Sequence, residues 1–453
     1  MKLIIFLFRI YLRVLGFLRG DKYRYSQEYE DNFRYMDREE KLWWCYKATI
    51  KQIEKAEKGK SIEEYFRTQD LKFSYEEGFN VLGSLVLTAG GDLNCSEVVY
   101  PESTLHLWDD VEEFYFSADI ICANLESPLD TTKPLGLVPY ACLTAPKLNT
   151  SVGMLERYIG KEKGINFFST ANNHALDQGE SGLIATLDNL DSKGVFHVGT
   201  SRTPEEQSDI PIIEVNGIRV AMLSYTYCLN GHEPIQGKEY MTNFIRLNKP
   251  NADLSLLCEH VRIAKEKKAD IIIAMLHWSI EFESYPIENV IKMGHRILES
   301  GVDVILGGHP HVAQPMEKYI YADPYTGVKK EGFIIYSLGE MVAYNAFGKN
   351  SRLGFIVKLE ISKGMANGTS RTLLTKVRIQ PIYTLLRKLN KHHYDYRVLD
   401  FVKTINDIRE GKNPYGFSAK EKKELYRLEG LLYNKLLPEE KDFLFKKIGV
   451  KTS

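Results

Sequence analysis

From Leu82 onward, short β-type apolar runs alternate with helical stretches, and this alternation constrains the fold more than any other feature. Some runs, such as IIIAM at 271–275 and VILGG at 304–308, are apolar throughout. Strands buried on both faces have this composition, and they occur in parallel sheets covered by helices. Asn216-Gly217 lies between two further runs and is typical of a tight β-hairpin. The sequence therefore predicts an α/β domain over residues 81–384.

The flanking segments have a different composition. Residues 21–80 are charged and aromatic with few strand signals, and they predict a helical N-terminal extension. Residues 385–453 predict a helical C-terminal extension, with two helices over 418–449 that are broken near Pro438. Ser418 and Glu421 have the spacing of a capping box, which predicts that the first of these helices begins at Ser418.

Residues 1–20 predict a basic amphipathic helix. Arg9 and Arg13 interrupt the apolar sequence, whereas a spanning helix needs about 20 mostly apolar residues. The two arginines are four residues apart and share a helix face, as in helices that lie in an anionic membrane surface. Docking of this helix on the protein's own core is the alternative, and an uncleaved signal anchor is less favoured. We expect a membrane-associated protein, peripheral or signal-anchored, and leave the side of the membrane open.

The charge balance argues against a protein that binds nucleic acid. The 453 residues include 59 basic and 60 acidic side chains, which give a net charge of −1. A nucleic-acid-binding domain is usually strongly basic. Six cysteines occur without a CxxC pair, so neither a zinc ribbon nor a small disulfide framework is predicted. This cysteine pattern favours a reduced, cytosol-facing protein.

Groups that can bind a metal follow five of the predicted strands. Ligand sites in open α/β sheets gather at the carboxyl ends of strands, so we expect these side chains to converge. Carboxylate, imidazole and amide oxygen together suit divalent Mn, Zn, Fe or Co. Two such ions can activate a water and stabilise charge on a phosphoryl group. The residues, in strand order, are Asp92; Asn124 and Glu126; Asn172, Asn173 and His174; His277; and His309 and His311.

Each position taken singly has a structural explanation. Asp92 fits a turn after two glycines, Asn172 and Asn173 are turn formers, and His277 fits a core histidine. The string His309-Pro310-His311 is the exception, because two histidines that flank a proline after a buried strand are rarely only structural. A metal-ligand role is favoured there, and the five strand ends together strengthen it.

Weaker candidates surround this set. Asp177, three residues after His174, could orient that imidazole, although acidic residues in a first helical turn are also favoured by the helix dipole. Glu281 and Glu283 could line the pocket or face water. Arg352 could hold an anionic substrate or lie on a solvated strand edge.

The chain resembles the CapA family of poly-γ-glutamate capsule synthesis proteins, which is related to calcineurin-like metallophosphoesterases. The resemblance covers roughly 85–360. It implies a four-layer αββα sandwich and two divalent metals, most simply Mn, Zn or Fe. It places metal-site roles on Asp92, Glu126, Asn173, His277, His309 and His311, and leaving-group assistance on His174. The strings that carry it are GGD at 90–92, ANLESPL at 123–129, ANNHALDQG at 171–179, HWSIEFESYP at 277–286, GGHPHVAQPME at 307–317 and IIYSLGE at 334–340.

The chain also departs from the family's usual strings. Asn94 stands where ordinary metallophosphoesterases have a histidine ligand, as is general in this branch. Gly308 replaces the first histidine of GHHPH. Ser279 and Phe282 alter HWG-x-EY, and Glu340 with Met341 alters YSLGNF. These departures put the identity of the substrate in doubt more than metal binding.

The leading functional hypothesis is a metal-dependent hydrolase of the phosphoesterase type that acts on a phosphoester or an anionic polymer in capsule biosynthesis. His174 and Asp177 are its catalytic candidates, and Asn124, Asn172, Glu281 and Arg352 its substrate-binding candidates. A non-catalytic component that binds polymer within a membrane biosynthetic complex is one alternative. Metal-assisted acyl or amide transfer on polyglutamate is another, because metals also polarise carbonyl groups.

Overall fold

The computed structural model describes residues 2–27, 32, 34–95, 98–136, 147–343, 348–390 and 393–445. Its helices alternate with strands through the centre of the chain, as the sequence predicts. The α-helices are α1 (Lys2–Arg19), α2 (Arg38–Thr49), α3 (Ile62–Arg67), α4 (Glu112–Tyr115), α5 (Val152–Ile159), α6 (Gly179–Ser192), α7 (Pro204–Ser208), α8 (Ser255–Glu266), α9 (Glu288–Glu299), α10 (Phe401–Arg409) and α11 (Ala419–Leu431).

The strands of the described residues form two sheets. The larger has the order β14-β13-β12-β1-β2-β3-β4, with β11 paired to β1, and the smaller has the order β5-β6-β7-β8-β10-β9. The strands are β1 (Asn80–Leu93), β2 (Ile120–Asn124), β3 (Phe167–Ser169), β4 (Phe196–Val198), β5 (Ile212–Val215), β6 (Ile218–Thr226), β7 (Ile271–His277), β8 (Val304–Gly308), β9 (Ala313–Ala322), β10 (Lys329–Leu338), β11 (Glu340–Val342), β12 (Leu353–Ala366), β13 (Thr369–Lys388) and β14 (Tyr394–Asp400).

The two sheets pack face to face between layers of helices. One apolar cluster joins side chains of both sheets, including Leu87 and Val357 from the larger and Ile273 and Ile335 from the smaller. A second cluster packs α8 and α9 on the outer face of the smaller sheet. A third packs α4 and α5 on the outer face of the larger sheet. The fold is therefore an α/β sandwich of four layers in the order αββα, and the expectation for the fold class is confirmed.

Local sequence signals account for several element boundaries. Asn216 and Gly217 join β5 to β6 with φ of 50° and 76°, the two positive values that a tight hairpin turn needs. The hydroxyl of Ser418 accepts from the backbone N–H of Glu421, whose carboxylate accepts from the backbone N–H of Ser418. The predicted capping box thus begins α11.

The C-terminal extension differs from its prediction. β13 continues to Lys388, and β14 adds a further strand to the larger sheet within the segment expected to be helical. The second helix predicted after Pro438 does not form over 439–445, and 446–453 lie outside the described residues. From Asp395 to Val398, β14 alternates half-buried with buried residues, the period of a strand with one covered face, and Leu399 and Asp400 after it are both buried.

The N-terminal extension covers the smaller sheet. Tyr23, Trp43 and Phe66 are buried in the cluster on that sheet's outer face. α1 packs on α2 through Leu12 and through Gly16, where an added Cβ would lie 2.4 Å from the Tyr46 ring. In the described part of the chain, no helix has both the length and the apolar character needed to cross a membrane.

Candidate metal centre

The register of the sheets brings the predicted strand ends together. Asp92, near the end of β1, pairs with Asn124 on β2 and with Glu340 on the parallel strand β11. In the smaller sheet, His277 at the end of β7 pairs with Gly308 at the end of β8. The carboxyl ends of both sheets therefore face one site, as expected for ligands in α/β folds.

The turn after β8 holds its two histidines in unusual backbone conformations. His309 and His311 have φ of 96° and 54°, a region that residues other than glycine rarely adopt. The backbone N–H of His309 donates to Asp92 Oδ2 at 3.0 Å. A Cβ at Gly308 would lie 2.6 Å from Asp92 Oδ1, so glycine lets this turn approach the carboxylate. Strained residues of this kind cluster at functional sites, where the surrounding structure maintains them.

Three acceptor atoms surround the Nε2 atom of His277. Its Nε2 lies 3.0 Å from Asn173 Oδ1, 3.1 Å from His309 Nδ1 and 3.3 Å from Glu126 Oε1. A single N–H on His277 cannot satisfy three acceptors, and Glu126 Oε1 has no hydrogen-bond partner among the described residues. A buried unsatisfied carboxylate oxygen is costly, and a cation at this position would remove the cost. The donor set therefore fits a divalent metal.

Two overlapping groups of three side chains within the described residues have the geometry of metal sites. One consists of Glu126, His309 and His311, and the other of Asp92, Glu126 and His277. The candidate ligand atoms within each group lie within 4.8 Å of one another, and all the side chains are buried. Glu126 belongs to both groups. Carboxylate with imidazole suits divalent transition metals better than an all-oxygen cage would.

The charges of Glu126 and His311 support each other. Although burial opposes ionisation, His311 and His277 lower the pKa of Glu126 to about 2. Burial also opposes a charged His311, yet Glu126, Glu281 and Glu340 raise the pKa of His311 well above its usual value. These shifts favour a negative charge on Glu126 and a positive charge on His311, so the carboxylates of the site stabilise a positive charge between them.

Two other groups at the site shift toward their neutral forms. Burial, followed by the neighbouring histidines, lowers the pKa of His309 well below its usual value. Burial raises the pKa of Asp92, and Glu126 raises it further. A neutral imidazole is the form that binds a metal, so His309 needs no proton loss to become a ligand.

His174 and Asp177 form a buried pair next to these groups. His174 Nδ1 lies 2.7 Å from Asp177 Oδ2, and that oxygen also accepts from the backbone N–H of Leu148 at 2.6 Å. Burial opposes the charged imidazole, but Asp177 outweighs it and raises the pKa of His174. The other ring nitrogen lies 3.4 Å from Asn230 Nδ2. Asp177 thus fixes the orientation of the imidazole and favours its protonated form.

The candidate substrate-binding residues divide into two sets. Asn124 Nδ2 donates to Asp92 Oδ1 at 2.8 Å, and Asn172 Nδ2 lies 3.2 Å from Asn124 Oδ1, so both belong to the cluster. Glu281 Oε1 lies 3.5 Å from His311 Nε2. Arg352 instead donates to the Tyr383 hydroxyl at 3.1 Å, and the structure does not place it with the cluster.

Further side chains at the site were missed by sequence reasoning. Glu340 Oε1 lies 3.1 Å from His311 Nδ1, and Asn94 Nδ2 donates to Glu126 Oε2 at 3.0 Å. The Tyr227 hydroxyl lies 2.9 Å from His309 Nε2, which leaves Nδ1 of that ring facing the ligand cluster. Glu340 and Asn94 were visible as departures from family strings, and that was the available signal. Tyr227 and Asn230 carried no such signal.

A family profile matches this region of the chain. The profile of the bacterial capsule synthesis protein PGA_cap matches residues 86–345, which is more than half of the chain and spans every candidate metal ligand. The chain belongs to this family. Its N-terminal extension and the part from β12 to the C-terminus lie outside the match.

Two curated relatives carry capsule-related names. The chain is 25% identical over 273 residues to the PGA biosynthesis protein CapA of Bacillus subtilis (strain 168), covering 59% of this chain and 64% of that protein. It is 26% identical over 271 residues to the capsule biosynthesis protein CapA of Bacillus anthracis, covering 57% and 59%. The chain thus spans less than two thirds of either relative. Among solved structures, calcineurin-like phosphoesterase YfkN of Bacillus subtilis matches with a TM-score of 0.33 and 12% identity over 77% of this chain and 99% of that chain.

Proposed function

We propose that this protein is a metal-dependent hydrolase of the phosphoesterase type with a two-metal centre. The observation that carries the proposal is the pair of three-residue groups that share the fully buried Glu126, one of whose oxygens lacks a hydrogen-bond partner among the described residues. Two divalent ions that share a bridging carboxylate are a recurrent arrangement in phosphatases and nucleases.

The chain's own residues divide the chemical work. Asp92, Glu126, Asn173, His277, His309 and His311 would hold the ions, which supply Lewis-acid stabilisation and an activated water. His174, whose protonated form Asp177 favours by raising its pKa, donates a proton to the leaving oxygen. Asp177 fixes the orientation of the ring through its 2.7 Å contact with Nδ1.

The family and the relatives' names support a role in synthesis of a capsule or another anionic surface polymer such as poly-γ-glutamate. The same centre could polarise a carbonyl group in acyl or amide transfer, or bind polymer without turnover. Binding of a multiply anionic substrate beside this centre needs the metals to offset the negative charge of Glu126.

The test is hydrolysis of bis-p-nitrophenyl phosphate and p-nitrophenyl phosphate by metal-free protein before and after Mn²⁺ addition. His309→Ala removes a ligand of one group, and Phe196→Ser, at an exposed position on β4, serves as the matched control. We expect Mn²⁺-dependent hydrolysis that is lost in His309→Ala and kept in the control. Bound metal without turnover of either ester would reject the phosphoesterase proposal and favour acyl transfer or polymer binding.

We also propose that α1 lies on an anionic membrane surface. Its face opposite the packed Leu12 carries a continuous apolar stripe that includes Phe6, Leu7 and Phe17, all more than half exposed. The helix has no acidic residue and contains Arg9, Arg13 and Arg19. Apolar burial together with attraction to anionic lipid is how interfacial helices bind.

Sedimentation with vesicles tests this location. We expect binding to vesicles that contain phosphatidylglycerol, weaker binding to phosphatidylcholine alone, and loss of both with Phe17→Glu. Phe17 is 80% exposed, so its replacement leaves the packed face of α1 unchanged. Equal sedimentation of the wild type and Phe17→Glu would refute the membrane role of α1.

A further inference from the structure

The loop that carries Glu281 lies between the turn that contains His309 and His311 and the N-terminal extension. The backbone N–H of Phe282 donates to Pro310 O at 2.8 Å on one side. On the other side, Ile53 N–H donates to Phe282 O at 2.9 Å and Ser284 N–H donates to Ile53 O at 2.8 Å. The residues just after α2 therefore pair with this loop as a strand would, although 229 residues separate Ile53 from Phe282.

Two carboxylates of the loop take donors from one face of α2. The indole N–H of Trp44 donates to Glu281 Oε2, and Lys47 Nζ lies 3.0 Å from Glu283 Oε1. Trp44 and Lys47 are three residues apart and so share a helix face. Glu281 and Glu283 flank Phe282, a turn residue with a φ of 62°. The Trp44 ring also packs edge-on against Phe282, with 5.9 Å between centroids. One face of α2 thus supplies the donors to both carboxylates.

Glu281 connects this helix to the metal centre. While Oε2 accepts from Trp44, Oε1 lies 3.5 Å from His311 Nε2. The same nitrogen lies 3.9 Å from Glu126 Oε1, so it faces the shared carboxylate of the two candidate groups. A carboxylate that is held by one fixed donor loses rotamer freedom, and this keeps its second oxygen directed at the site.

We propose that Trp44 is a positioning residue of the metal centre. It orients Glu281 toward His311. The N-terminal extension lies outside the family match, and through Trp44 it completes a site that is built from the family's own motifs. The inference rests on the proposed metal centre. It adds a residue that acts through Glu281 and touches neither metal nor substrate.

Trp43 provides a matched control on the same helix. Its indole nitrogen has no hydrogen-bond partner in the described part of the chain. Its side chain is buried, with 5% of its surface exposed. Trp44→Phe removes an N–H that binds Glu281, whereas Trp43→Phe removes an N–H that binds nothing described. Both variants keep an aromatic ring at the same place, and circular dichroism of each full-length protein checks that it is folded.

Calorimetric titration of the metal-free proteins with Mn²⁺ is the first readout. Loss of the partner that orients a metal ligand typically weakens metal binding by about 10- to 100-fold. Because Trp44 acts one contact further away, through Glu281, we expect Trp44→Phe to weaken Mn²⁺ binding by about 5- to 10-fold. Trp43→Phe should stay within about twofold of the wild type. In a Glu281→Gln background, Trp44→Phe should cause little further loss, because the indole then has no carboxylate to orient.

The outcomes separate this inference from the proposed function. Wild-type protein that binds no Mn²⁺ would overturn both. Equal Mn²⁺ affinities of Trp44→Phe and Trp43→Phe, with the wild type binding normally, would overturn the positioning role alone. A full-sized effect of Trp44→Phe in the Glu281→Gln background would also overturn it, since the effect would then not pass through Glu281.

Discussion

Replacement of Glu126 by Gln separates the electrostatic role of this carboxylate from its shape. The side chain is fully buried, and its pKa of about 2 lies some 2.5 units below its ordinary value of 4.5 because of His311 and His277. One unit corresponds to about 1.4 kcal/mol, so the ionised form stabilises the metal-free fold by about 3 kcal/mol at pH 7. We expect Glu126→Gln to lose stability of this order.

The sign of the pH dependence follows from the lowered pKa. The contribution of Glu126 is fully present above the unfolded value near 4.5 and is lost as pH falls through the folded value near 2. The difference between wild type and Glu126→Gln should therefore shrink from about 3 kcal/mol at pH 7 to about 2 kcal/mol at pH 3.5. Urea denaturation of the metal-free proteins at both pH values measures it. Glu162→Gln, at an exposed position, should stay within about 0.5 kcal/mol of the wild type.

Metal addition gives a second comparison on the same samples. An ion at 100 times its dissociation constant stabilises a one-site protein by about 2.7 kcal/mol. Mn²⁺ should therefore stabilise the wild type and Glu162→Gln, and much less Glu126→Gln, because Glu126 belongs to both candidate groups. Equal stability of metal-free Glu126→Gln and wild type at pH 7, or equal stabilisation by Mn²⁺, would refute this reasoning.

Three further predictions concern other parts of the molecule. Asp177→Asn should lower kcat about 100-fold or more, because the proton donor His174 loses its charged partner. Elemental analysis should show an unchanged Mn²⁺ content. An unchanged kcat would remove His174 from the mechanism. Burial raises the pKa of Glu340 to about 7, so its stabilising effect is complete below pH 4.5 and lost as pH rises through 7. Denaturation of the metal-free proteins at pH 5 and 8 should show a smaller decline for Glu340→Asn than for the wild type, and parallel declines would contradict the assignment. Lys47→Met should lower the free energy of unfolding in urea by about 3–5 kcal/mol, because it leaves Glu283 buried without its cation. The double variant Lys47→Met/Glu283→Leu should recover most of the lost stability. A Lys47→Met variant as stable as the wild type would disprove the role of the ion pair.

The sequence predicted those parts of the fold that local patterns determine. Apolar runs located the central strands, Asn216-Gly217 located a hairpin, and Ser418 located a helix start, because each signal acts within a few residues. β14 was missed because its segment is polar and aromatic, although its alternation was visible. The predicted helix after Pro438 failed over 439–445, where Leu444 instead forms a bridge with Ile379 of β13.

The candidate site was predictable only as far as strand ends determine it. Asp92, Glu126 and His277 follow apolar runs, and parallel strands bring such positions to one edge. Arg352 has no such constraint, and it lies on Tyr383 instead. The contact of Trp44 with Glu281 spans 237 residues and involves a helix outside the family's motifs. No periodicity or spacing in a single sequence encodes a pairing of that kind.

The proposed function is tested most directly by counting bound metal and measuring turnover on the same samples. Metal-free wild type and His309→Ala are loaded with Mn²⁺, desalted, analysed for metal content, and assayed with bis-p-nitrophenyl phosphate. We predict two Mn²⁺ per wild-type chain with hydrolysis, and reduced metal without hydrolysis in His309→Ala. Wild-type protein that carries no Mn²⁺, or that hydrolyses the ester as fast without metal as with it, would contradict a metal-dependent hydrolase.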